Sequence, residues 1–337
     1  MKKSTLLILF LFQLIDVYKL PAQGNLYNVN LKEIFLRDAC ILTDKKNNIY
    51  YMVGPGKGSA ANEFDNASVI QYISKDLIIW EGPKTIFQVP NDLWNDIKIE
   101  AVWAPELHFY KGKYYLFLTF SSTKLLPEQW LNWIPRVVRA SQVLVGDSPT
   151  GPFKAFHDHG ITPDGMITLD GTLYEEDGKP YMVYAHEWVQ ISNGTIEYIP
   201  LKEDLSEAIG KPGLIFRANS APWVEIANKE YGCYVTDAPY MYKSKSGKLF
   251  MIWSSFTKGG YTVGTAISAS GKLAGPWVHD PKPLYSKDGG HGMIFKTLDD
   301  KLMMILHSPN NPQAQPKLFY LDDTGETLKI IKEFNGK

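Results

Sequence analysis

The stretch "LDGTLYEEDGKPYMVYA" (169–185) contains two short apolar strands joined by a tight turn. Its first strand follows Asp170, and the dipeptide Asp177-Gly178 supplies the turn. Asp-Gly between two apolar runs favours a β-hairpin, because both residues tolerate the left-handed backbone that such turns require. The stretch therefore predicts a hairpin whose first strand begins at an acid.

Four further stretches follow the same plan of a polar residue, a short strand, a turn and a second apolar strand: "RDACILTDKKNNIYYMVG" (37–54), "APELHFYKGKYYLFLTF" (104–120), "TDAPYMYKSKSGKLFMIWSS" (236–255) and "GHGMIFKTLDDKLMMILHS" (290–308). In chain order, the leading residues of the five units are Asp38, Glu106, Asp170, Asp237 and His291. They are 68, 64, 67 and 54 positions apart. Five similar units at such a period predict a repeat architecture.

The spacing leaves room for two more strands in each unit, and helical periodicity is weak throughout. Gly-Pro turns in "WEGPKTIF" (80–87), "SPTGPFKAF" (148–156) and "LAGPWVHD" (273–280) close three of the units. We therefore predict an all-β fold over residues 30–337, a five-bladed β-propeller with four-stranded antiparallel blades around a central channel. The first strand of each blade lines that channel. If the units are equivalent, their five leading residues meet at one end of it.

The composition fits a large core and excludes several function classes. The chain has 337 residues, of which 45% are apolar, and its formal net charge is −1. No basic excess indicates nucleic-acid binding. Nine Trp and nineteen Tyr, together with clustered acids, fit recognition of an oligosaccharide or polysaccharide. The two cysteines, Cys40 and Cys233, are too far apart to define a disulfide framework, and we expect both to be core thiols.

Residues 1–22 have the pattern of a secretory signal peptide. Lys2 and Lys3 form a charged start, residues 6–15 form an apolar segment interrupted only by Gln13, and a small-residue cleavage site lies near Ala22. The apolar run is too short to span a membrane stably, and no other segment looks transmembrane. We expect an exported protein, periplasmic or extracellular. The sequence does not indicate an oligomeric state.

These motifs resemble those of glycoside hydrolase family 43, five-bladed propeller enzymes that attack arabinosides, xylosides and related glycosides. "RDAC" (37–40) is similar to the family's first-blade Arg/Asn-Asp-Pro/Ala pattern, and "VWAPELHFYKGKYYLF" (102–117) to its Trp-Ala-Pro-Glu segment. "LDGTLYEEDGKPYMVY" (169–184) is similar to its Ile-Asp-Gly/Pro segment, and "GDSPTGPF" (146–153) is a typical unit ending. The resemblance covers about residues 30–335. It implies an inverting hydrolase.

The resemblance also implies catalytic roles. Asp38 stands at the position of the general base, and Asp170 at that of the Asp that orients the acid and tunes its pKa. The fourth-blade motif usually reads Glu-Gly/Ala-Pro, whereas this chain has "TDAP" with Asp237. One methylene shifts a carboxyl by roughly 1.3–1.5 Å, which a shifted backbone can absorb. Glu187 in "YAHEWVQ" (184–190) is a second candidate for the acid, and both candidates stay open.

Substrate-binding candidates surround these acids. Glu106 and Trp103 lie in the Trp-Ala-Pro-Glu segment, and Trp188 follows Glu187. Arg217 has two interpretations, a hydrogen bond to a sugar or a surface salt bridge. His291 resembles the fifth-blade His that lies near a metal ion in many members of the family. Since Ca²⁺ prefers oxygen ligands, His291 would act on such a structural ion through bound water.

A long insertion in the second blade, "TKLLPEQWLNWIPRVVRASQ" (123–142), carries two more aromatic candidates. Trp130 and Trp133 are three residues apart and would share one face of a short helix. That face would either form an aromatic wall over the sugar or pack onto the rim of the propeller. A closed channel mouth would favour exo attack on chain ends or side chains.

Three functions compete on this sequence. The first is an exported, inverting exo-glycosidase acting on plant-type or related polysaccharides, with α-L-arabinofuranosides or β-D-xylosides ahead of galactofuranosides as substrates. It needs an acid and a base but no cofactor, and no GxGxxG, P-loop or HExxH motif occurs. The second is a non-catalytic carbohydrate-binding propeller, supported by the altered "TDAP". The third is a fructan hydrolase, suggested by "LWNDIKIE" (93–100).

Overall fold

The computed structural model describes residues 27–56 and 67–336. These residues form a five-bladed β-propeller, as the sequence predicts. The predicted signal peptide, residues 1–22, lies outside the described residues. No helix within the described ranges is long and apolar enough to cross a membrane.

The first two blades hold nine strands. Blade I, ordered β1-β5-β4-β3-β2, comprises β1 (Tyr27–Asn30), β2 (Cys40–Asp44), β3 (Ile49–Pro55), β4 (Ser68–Ser74) and β5 (Ile79–Gln88). Blade II comprises β6 (Ile99–Tyr110), β7 (Lys113–Leu125), β8 (Val137–Gly146) and β9 (Lys154–Ala155). Blade I thus departs from the predicted four strands, because β1 pairs antiparallel with the outer strand β5.

The other three blades have four antiparallel strands each. Blade III comprises β10 (Thr168–Glu176), β11 (Lys179–His186), β12 (Thr195–Pro200) and β13 (Gly213–Arg217). Blade IV comprises β14 (Asp237–Lys243), β15 (Leu249–Thr257), β16 (Gly260–Ser268) and β17 (Trp277–His279). Blade V comprises β18 (Gly290–Lys296), β19 (Leu302–Ser308), β20 (Gln315–Asp323) and β21 (Leu328–Glu333). The described helices are α1 (Trp188–Ile191) and two 3-10 helices, Leu31–Glu33 and Ala218–Ser220.

The predicted hairpins between the first two strands of each blade are confirmed. Asp177 and Gly178 have φ of 52° and 76° between β10 and β11, as a two-residue turn of mirror-image type requires. The second strand of each blade is the most deeply buried, and it carries core side chains such as Phe117, Met251 and Ile305. Cys40 and Cys233 are free and buried, as predicted. The apolar second strands therefore provide the packing that holds neighbouring blades together.

The ring closes between blades V and I without a strand shared by the two blades. β18 contacts β2 directly, and the hydroxyl of Thr43 donates to the carbonyl of Lys296 at 2.6 Å. The backbone N–H of Leu298 donates to the Tyr50 hydroxyl at 2.8 Å. At the outer side, the Gln315 amide donates to the Lys32 carbonyl at 2.7 Å. Hydrogen bonds that involve side chains therefore join blade V to blade I and close the ring.

Candidate active site

A bulge interrupts the first strand of the blades near one end of the channel. In blades II to V the register with the second strand shifts between Trp103/Glu106, Leu169/Thr172, Asp237/Tyr240 and Gly290/Met293. One residue at each bulge, and Asp38 just before β2, has a left-handed backbone; these residues are Asp38, Ala104, Asp170, Ala238 and His291, with φ between 45° and 55°. Such backbone is uncommon outside glycine and clusters at functional sites.

The bulges correct the predicted equivalence of the five leading residues. Asp38, Asp170 and His291 share the left-handed position. Asp237 lies one residue before it, and Glu106 lies two residues after it. At each bulge, two residues of the first strand oppose a single residue on the second strand. The side chains on either side of the bulge therefore do not follow the regular alternation between the two faces of the sheet. Asp237 therefore approaches the channel from a different direction than Asp38 and Asp170.

The left-handed residues are tied to the preceding blade. The backbone N–H of Asp170 donates to the Thr119 hydroxyl at 2.9 Å, and that of His291 donates to the Ser254 hydroxyl at 2.9 Å. Thr119 and Ser254 are at matching places in their blades, since each pairs with the residue before a bulge. The polar side chain on the second strand therefore holds the next blade's first strand in place.

Blade III lacks this polar side chain, and Asp170 replaces it. Ala185 pairs with Leu169 at the matching place and offers no acceptor. The backbone N–H of Ala238 instead donates to Oδ2 of Asp170 at 2.9 Å. Because Ala238 follows Asp237 directly, the Asp170 carboxylate fixes the backbone that carries the Asp237 side chain.

Asp38 lies among three cationic or potentially cationic groups. Its Oδ1 is 3.1 Å from Nδ1 of His307 and 3.5 Å from Nδ1 of His291, and its Oδ2 is 4.0 Å from Nε of Arg37. Burial alone would raise the pKa of Asp38, but His291, His307 and Arg37 together lower it well below its usual range. Burial lowers the pKa of His291. His291, His307 and Arg37 therefore stabilise the ionised form of Asp38.

Asp170 and Asp237 have the opposite electrostatic character. Asp170 is buried and lies 3.8 Å from Nδ1 of His291. Burial and the neighbouring charges of Asp237 and Asp38 raise its pKa. Burial, together with the charges of Glu187 and Asp38, raises the pKa of Asp237 to about 7, although a hydrogen bond from Tyr261 lowers it. The channel thus combines Asp38, a carboxylate whose pKa is lowered, with Asp170 and Asp237, two carboxyls whose pKa values are raised.

Glu187 is buried at the same channel mouth and is engaged in an ion pair. It follows β11 and is the N-cap residue of α1. Its Oε2 pairs with Nη1 of Arg139, and the Arg139 Nε donates to the Ser121 hydroxyl at 3.1 Å. Burial raises the pKa of Glu187, while Arg139 lowers it. Since a protonated Glu187 would lose this pair, Arg139 favours the ionised form.

Trp103 and Glu106 lie on the blade II side of the channel. The Arg139 guanidinium stacks over the Trp103 ring, 4.0 Å from its centroid. The buried indole N–H of Trp103 has no hydrogen-bond partner among the described residues. Glu106 is buried, and its Oε2 lies 2.8 Å from Nε2 of His108. Both residues thus lie at the channel, and their contacts with a substrate remain predictions.

The blade II insertion forms a turn, not the predicted short helix. Trp130 and Trp133 still contact each other, with ring centroids 5.2 Å apart, but Trp133 also packs against Trp188 and Tyr231. Its indole N–H donates to the Val189 carbonyl at 2.6 Å. Side-chain anchoring to blade III therefore determines the conformation of the insertion. Trp133 is a packing residue, as the second interpretation of the insertion held, whereas Trp130 is partly exposed.

Arg217 is separate from this group. It lies at the end of the outermost strand of blade III and is exposed, so the structure shows no contact that supports a sugar-binding role. The "LWNDIKIE" element leads into β6 and packs within blade II. Trp94 is buried, and its indole N–H donates to the Gln142 side chain at 2.7 Å.

The arrangement of the acids suggests glycoside hydrolysis, and the comparison with known families decides the family. The family model described as "Glycosyl hydrolases family 43" matches residues 29–326. The chain belongs to this family. Family 43 enzymes hydrolyse O-glycosyl bonds and generally need no cofactor for catalysis.

Solved and curated relatives agree with the assignment to family 43. The chain is 37% identical in sequence to a protein whose crystal structure is described as that of an endo-arabinase from Bacteroides thetaiotaomicron. The match covers 92% of this chain and 99% of the endo-arabinase chain, with a TM-score of 0.75. It is 25% identical over 252 residues to "Alpha-L-arabinofuranosidase 43" of Humicola insolens, covering 66% of this chain and 48% of that protein. It is 24% identical over 240 residues to an "Extracellular exo-alpha-(1->5)-L-arabinofuranosidase" of Streptomyces avermitilis, covering 67% and 45%. The chain therefore spans about half the length of these curated relatives.

The residues around His291 do not provide a ready calcium site. Across residues 27–56 and 67–336, no three His, Cys, Asp or Glu side chains are grouped so as to hold a metal ion. Nδ1 of His291 faces the carboxylates of Asp38 and Asp170, whereas Ca²⁺ takes six to eight oxygen ligands. Protein side chains alone therefore do not supply the ligands that such an ion needs.

Three residues of this site did not stand out in the sequence: Arg139, Tyr261 and His307. Arg139 and Tyr261 are on third strands, β8 and β16, whose register with the channel cannot be inferred from local pattern. His307 offered a weak signal, because it ends the apolar second strand of blade V in "MMILHS" (303–308). A fully buried histidine at the end of a strand is unusual enough to point to a partner carboxylate.

Proposed function

We propose that this protein is an exported, inverting exo-glycosidase that releases terminal α-L-arabinofuranosyl units. The observation that carries the proposal is the contrast between Asp38, whose pKa is lowered, and Asp237, whose pKa is raised to about 7. Two titratable groups with pKa values moved apart are the pattern of a base and an acid. A propeller that only binds carbohydrate would need no such contrast.

In the proposed reaction, Asp38 is the general base and Asp237 the general acid. A water oxygen bonds to the anomeric carbon and gives a proton to Asp38. The glycosidic C–O bond breaks, its electron pair stays on the leaving oxygen, and Asp237 donates its proton to that oxygen. Attack opposite to the leaving group inverts the anomeric centre, which requires carboxyls roughly 6.5–9.5 Å apart.

The contacts favour Asp237 over Glu187 as the acid. Asp237 is paired with a neutral phenol, Tyr261, so protonation of Asp237 leaves no buried charge without a partner. Glu187 is paired with the cationic Arg139, so protonation would leave a buried cation without its partner. We assign Glu187, with Arg139, to positioning the channel wall beside Trp103. Asp170 has no proton-transfer role, because it holds the backbone of Ala238.

Arabinofuranosides are the preferred substrate class, ahead of β-D-xylosides and galactofuranosides. The relatives described as arabinofuranosidases and endo-arabinase support this choice. Exo attack is supported by relatives described as exo-arabinofuranosidases and by the blade II insertion, which is anchored through Trp133 to Val189, two residues after Glu187. Export is supported by the signal pattern of residues 1–22 and by relatives described as extracellular.

The deciding experiment is a release assay with aryl α-L-arabinofuranoside, aryl β-D-xyloside and aryl galactofuranoside, in which NMR identifies the first anomer of the product. We expect release from the arabinofuranoside, with β-L-arabinofuranose formed before mutarotation. A retained anomer would contradict inversion. Fragments from internal bonds of a linear arabinan, without free arabinose, would contradict exo attack. No release from any glycoside would favour the binding propeller.

Asp170→Asn should move the alkaline limb of the kcat/KM profile to lower pH. The negative charge of Asp170 disfavours ionisation of Asp237, so its removal lowers the pKa of the acid, which then loses its proton earlier as pH rises. Glu197→Gln is a matched control, because Glu197 is a partly buried acid of the same blade that bonds His186 and Thr195. A profile that only scales down, without moving, would refute the tuning role.

A further inference from the structure

Tyr261 lies between the two proposed catalytic aspartates, the base Asp38 and the acid Asp237. It belongs to β16, the third strand of blade IV, and its side chain is buried. Its hydroxyl donates to Oδ2 of Asp237 at 3.0 Å. We propose that Tyr261 is the positioning residue of the general acid, directing the transferable proton to the other carboxyl oxygen, Oδ1. The proposal deepens the function above and depends on Asp237 being the acid.

The direction of the hydrogen bond determines where the proton is located. A phenol that donates to Oδ2 occupies a lone pair there, so the carboxylic proton is favoured on Oδ1. Burial and the charges of Asp237, Asp170 and Asp38 raise the pKa of Tyr261, which keeps the phenol protonated as a donor. Within residues 27–56 and 67–336, no hydrogen bond is made to Oδ1 of Asp237. That oxygen is therefore available to the glycosidic oxygen.

Packing holds the Tyr261 ring in one place. The ring stacks on His307 with centroids 5.6 Å apart and planes 22° apart, and it contacts Phe256 at 5.1 Å. On another side it touches Gly290, where an added Cβ would come within 2.3 Å of Cε1. A methyl group at position 290 would therefore have to displace the Tyr261 ring. The ring is thus confined between blade V and the neighbouring strand β15 of its own blade.

The same ring connects the acid to the base. His307 lies 3.1 Å from Oδ1 of Asp38, and Tyr261 stacks on His307 while bonding Asp237. The side chains of His307 and Tyr261 therefore span the distance between Asp38 and Asp237. In an inverting reaction that distance must admit both the sugar and a water molecule. Tyr261 contributes to setting it.

The effect of losing the hydroxyl has a definite sign. The titratable and charged groups that act on Asp237 are Tyr261, Glu187, Asp38 and Arg37, together with Asp170, whose own pKa Asp237 raises. Of these, Tyr261 stabilises the ionised form directly, through its hydrogen bond. Without that bond the carboxylate is less stable, and its pKa rises. The acid then keeps its proton to higher pH, although the proton is no longer directed to Oδ1.

Tyr261→Phe should therefore move the alkaline limb of kcat/KM upward by about one pH unit. At low pH, kcat on a glycoside with a poor leaving group should fall roughly tenfold, because the protonated acid is less well oriented. KM should change little, since the ring is buried behind Asp237. Gly290→Ala, whose methyl group displaces the ring, should reduce kcat in the same way, and it provides a second test if Tyr261→Phe folds poorly.

Tyr242→Phe is the matched control. Tyr242 is on β14 of the same blade, and its hydroxyl also donates to an aspartate, Asp323 of blade V, at 2.9 Å. This variant should keep the wild-type pH profile. An alkaline limb that stays in place in Tyr261→Phe would overturn the proposal. If Asp237→Asn retains full activity, the assignment of the acid fails instead, so the two failures are distinguishable.

Discussion

Asp38→Asn is expected to lower kcat on aryl α-L-arabinofuranosides by roughly 10²–10⁴-fold, the usual effect of losing a proton-transfer group. The amide keeps the size of the side chain but cannot accept a proton from water. Steady-state kinetics at several pH values would measure the loss. Since asparagine tolerates the left-handed backbone that Asp38 adopts, with φ of 51°, the fold should persist.

Asp177→Asn is a suitable control for this variant. Asp177 also has a left-handed backbone, with φ of 52°, but it lies in the exposed turn between β10 and β11. The same substitution there should leave kcat unchanged. If Asp38→Asn keeps near-wild-type turnover with an unchanged thermal midpoint, Asp38 is not the base.

Asp237→Ala is expected to abolish activity on natural arabinosides while sparing the most activated aryl glycoside. Poor leaving groups need protonation in order to depart, whereas strongly acidic phenols leave without it. Paired assays with an arabino-oligosaccharide and a dinitrophenyl arabinofuranoside would show the difference. In the wild type, activity on poor leaving groups should be present below pH 7 and lost above it, since the pKa of Asp237 is about 7. Asp237→Ala should lose this alkaline limb.

Glu187→Ala separates the two candidates for the acid. Because Glu187 is paired with Arg139, which stacks on Trp103, its loss should disturb the channel wall and reduce activity on both substrates alike. Leaving-group selectivity in Glu187→Ala rather than Asp237→Ala would exchange the two roles. If neither variant shows the selectivity, the acid lies elsewhere.

The sequence predicted what depends on local pattern. The hairpins around Asp177-Gly178 and Lys111-Gly112 were predictable because turn chemistry and strand alternation lie within a few residues of each other. The bulges were not, since one extra residue beside Ala104 or Ala238 leaves the run of apolar residues intact. As a result, Asp237 and Glu106 were wrongly placed in register with Asp38.

The parts of the site that were not predicted come from distant strands. Arg139 reaches Glu187 from blade II, and Tyr261 reaches Asp237 from the third strand of blade IV. Such pairs depend on register between strands, which periodicity does not encode. The helix predicted around Trp130 and Trp133 is absent for a related reason. The contacts of Trp133 with Val189 and Tyr231, which are distant in sequence, hold this segment as a turn.

The closure of the ring by side chains has a consequence for biosynthesis. Asp38 is among the first residues of the propeller to be translated, whereas its partners His291 and His307 are among the last. Arg37 also has a late-translated partner, Asn310, whose side-chain oxygen accepts hydrogen bonds from both Arg37 and His307. A nascent chain that has completed four blades carries Asp38, Asp170 and Asp237 but lacks the histidines that keep Asp38 ionised in the buried channel. If Asp38 is the general base, as proposed, hydrolytic competence arises only with the last blade, when the two ends of the ring meet.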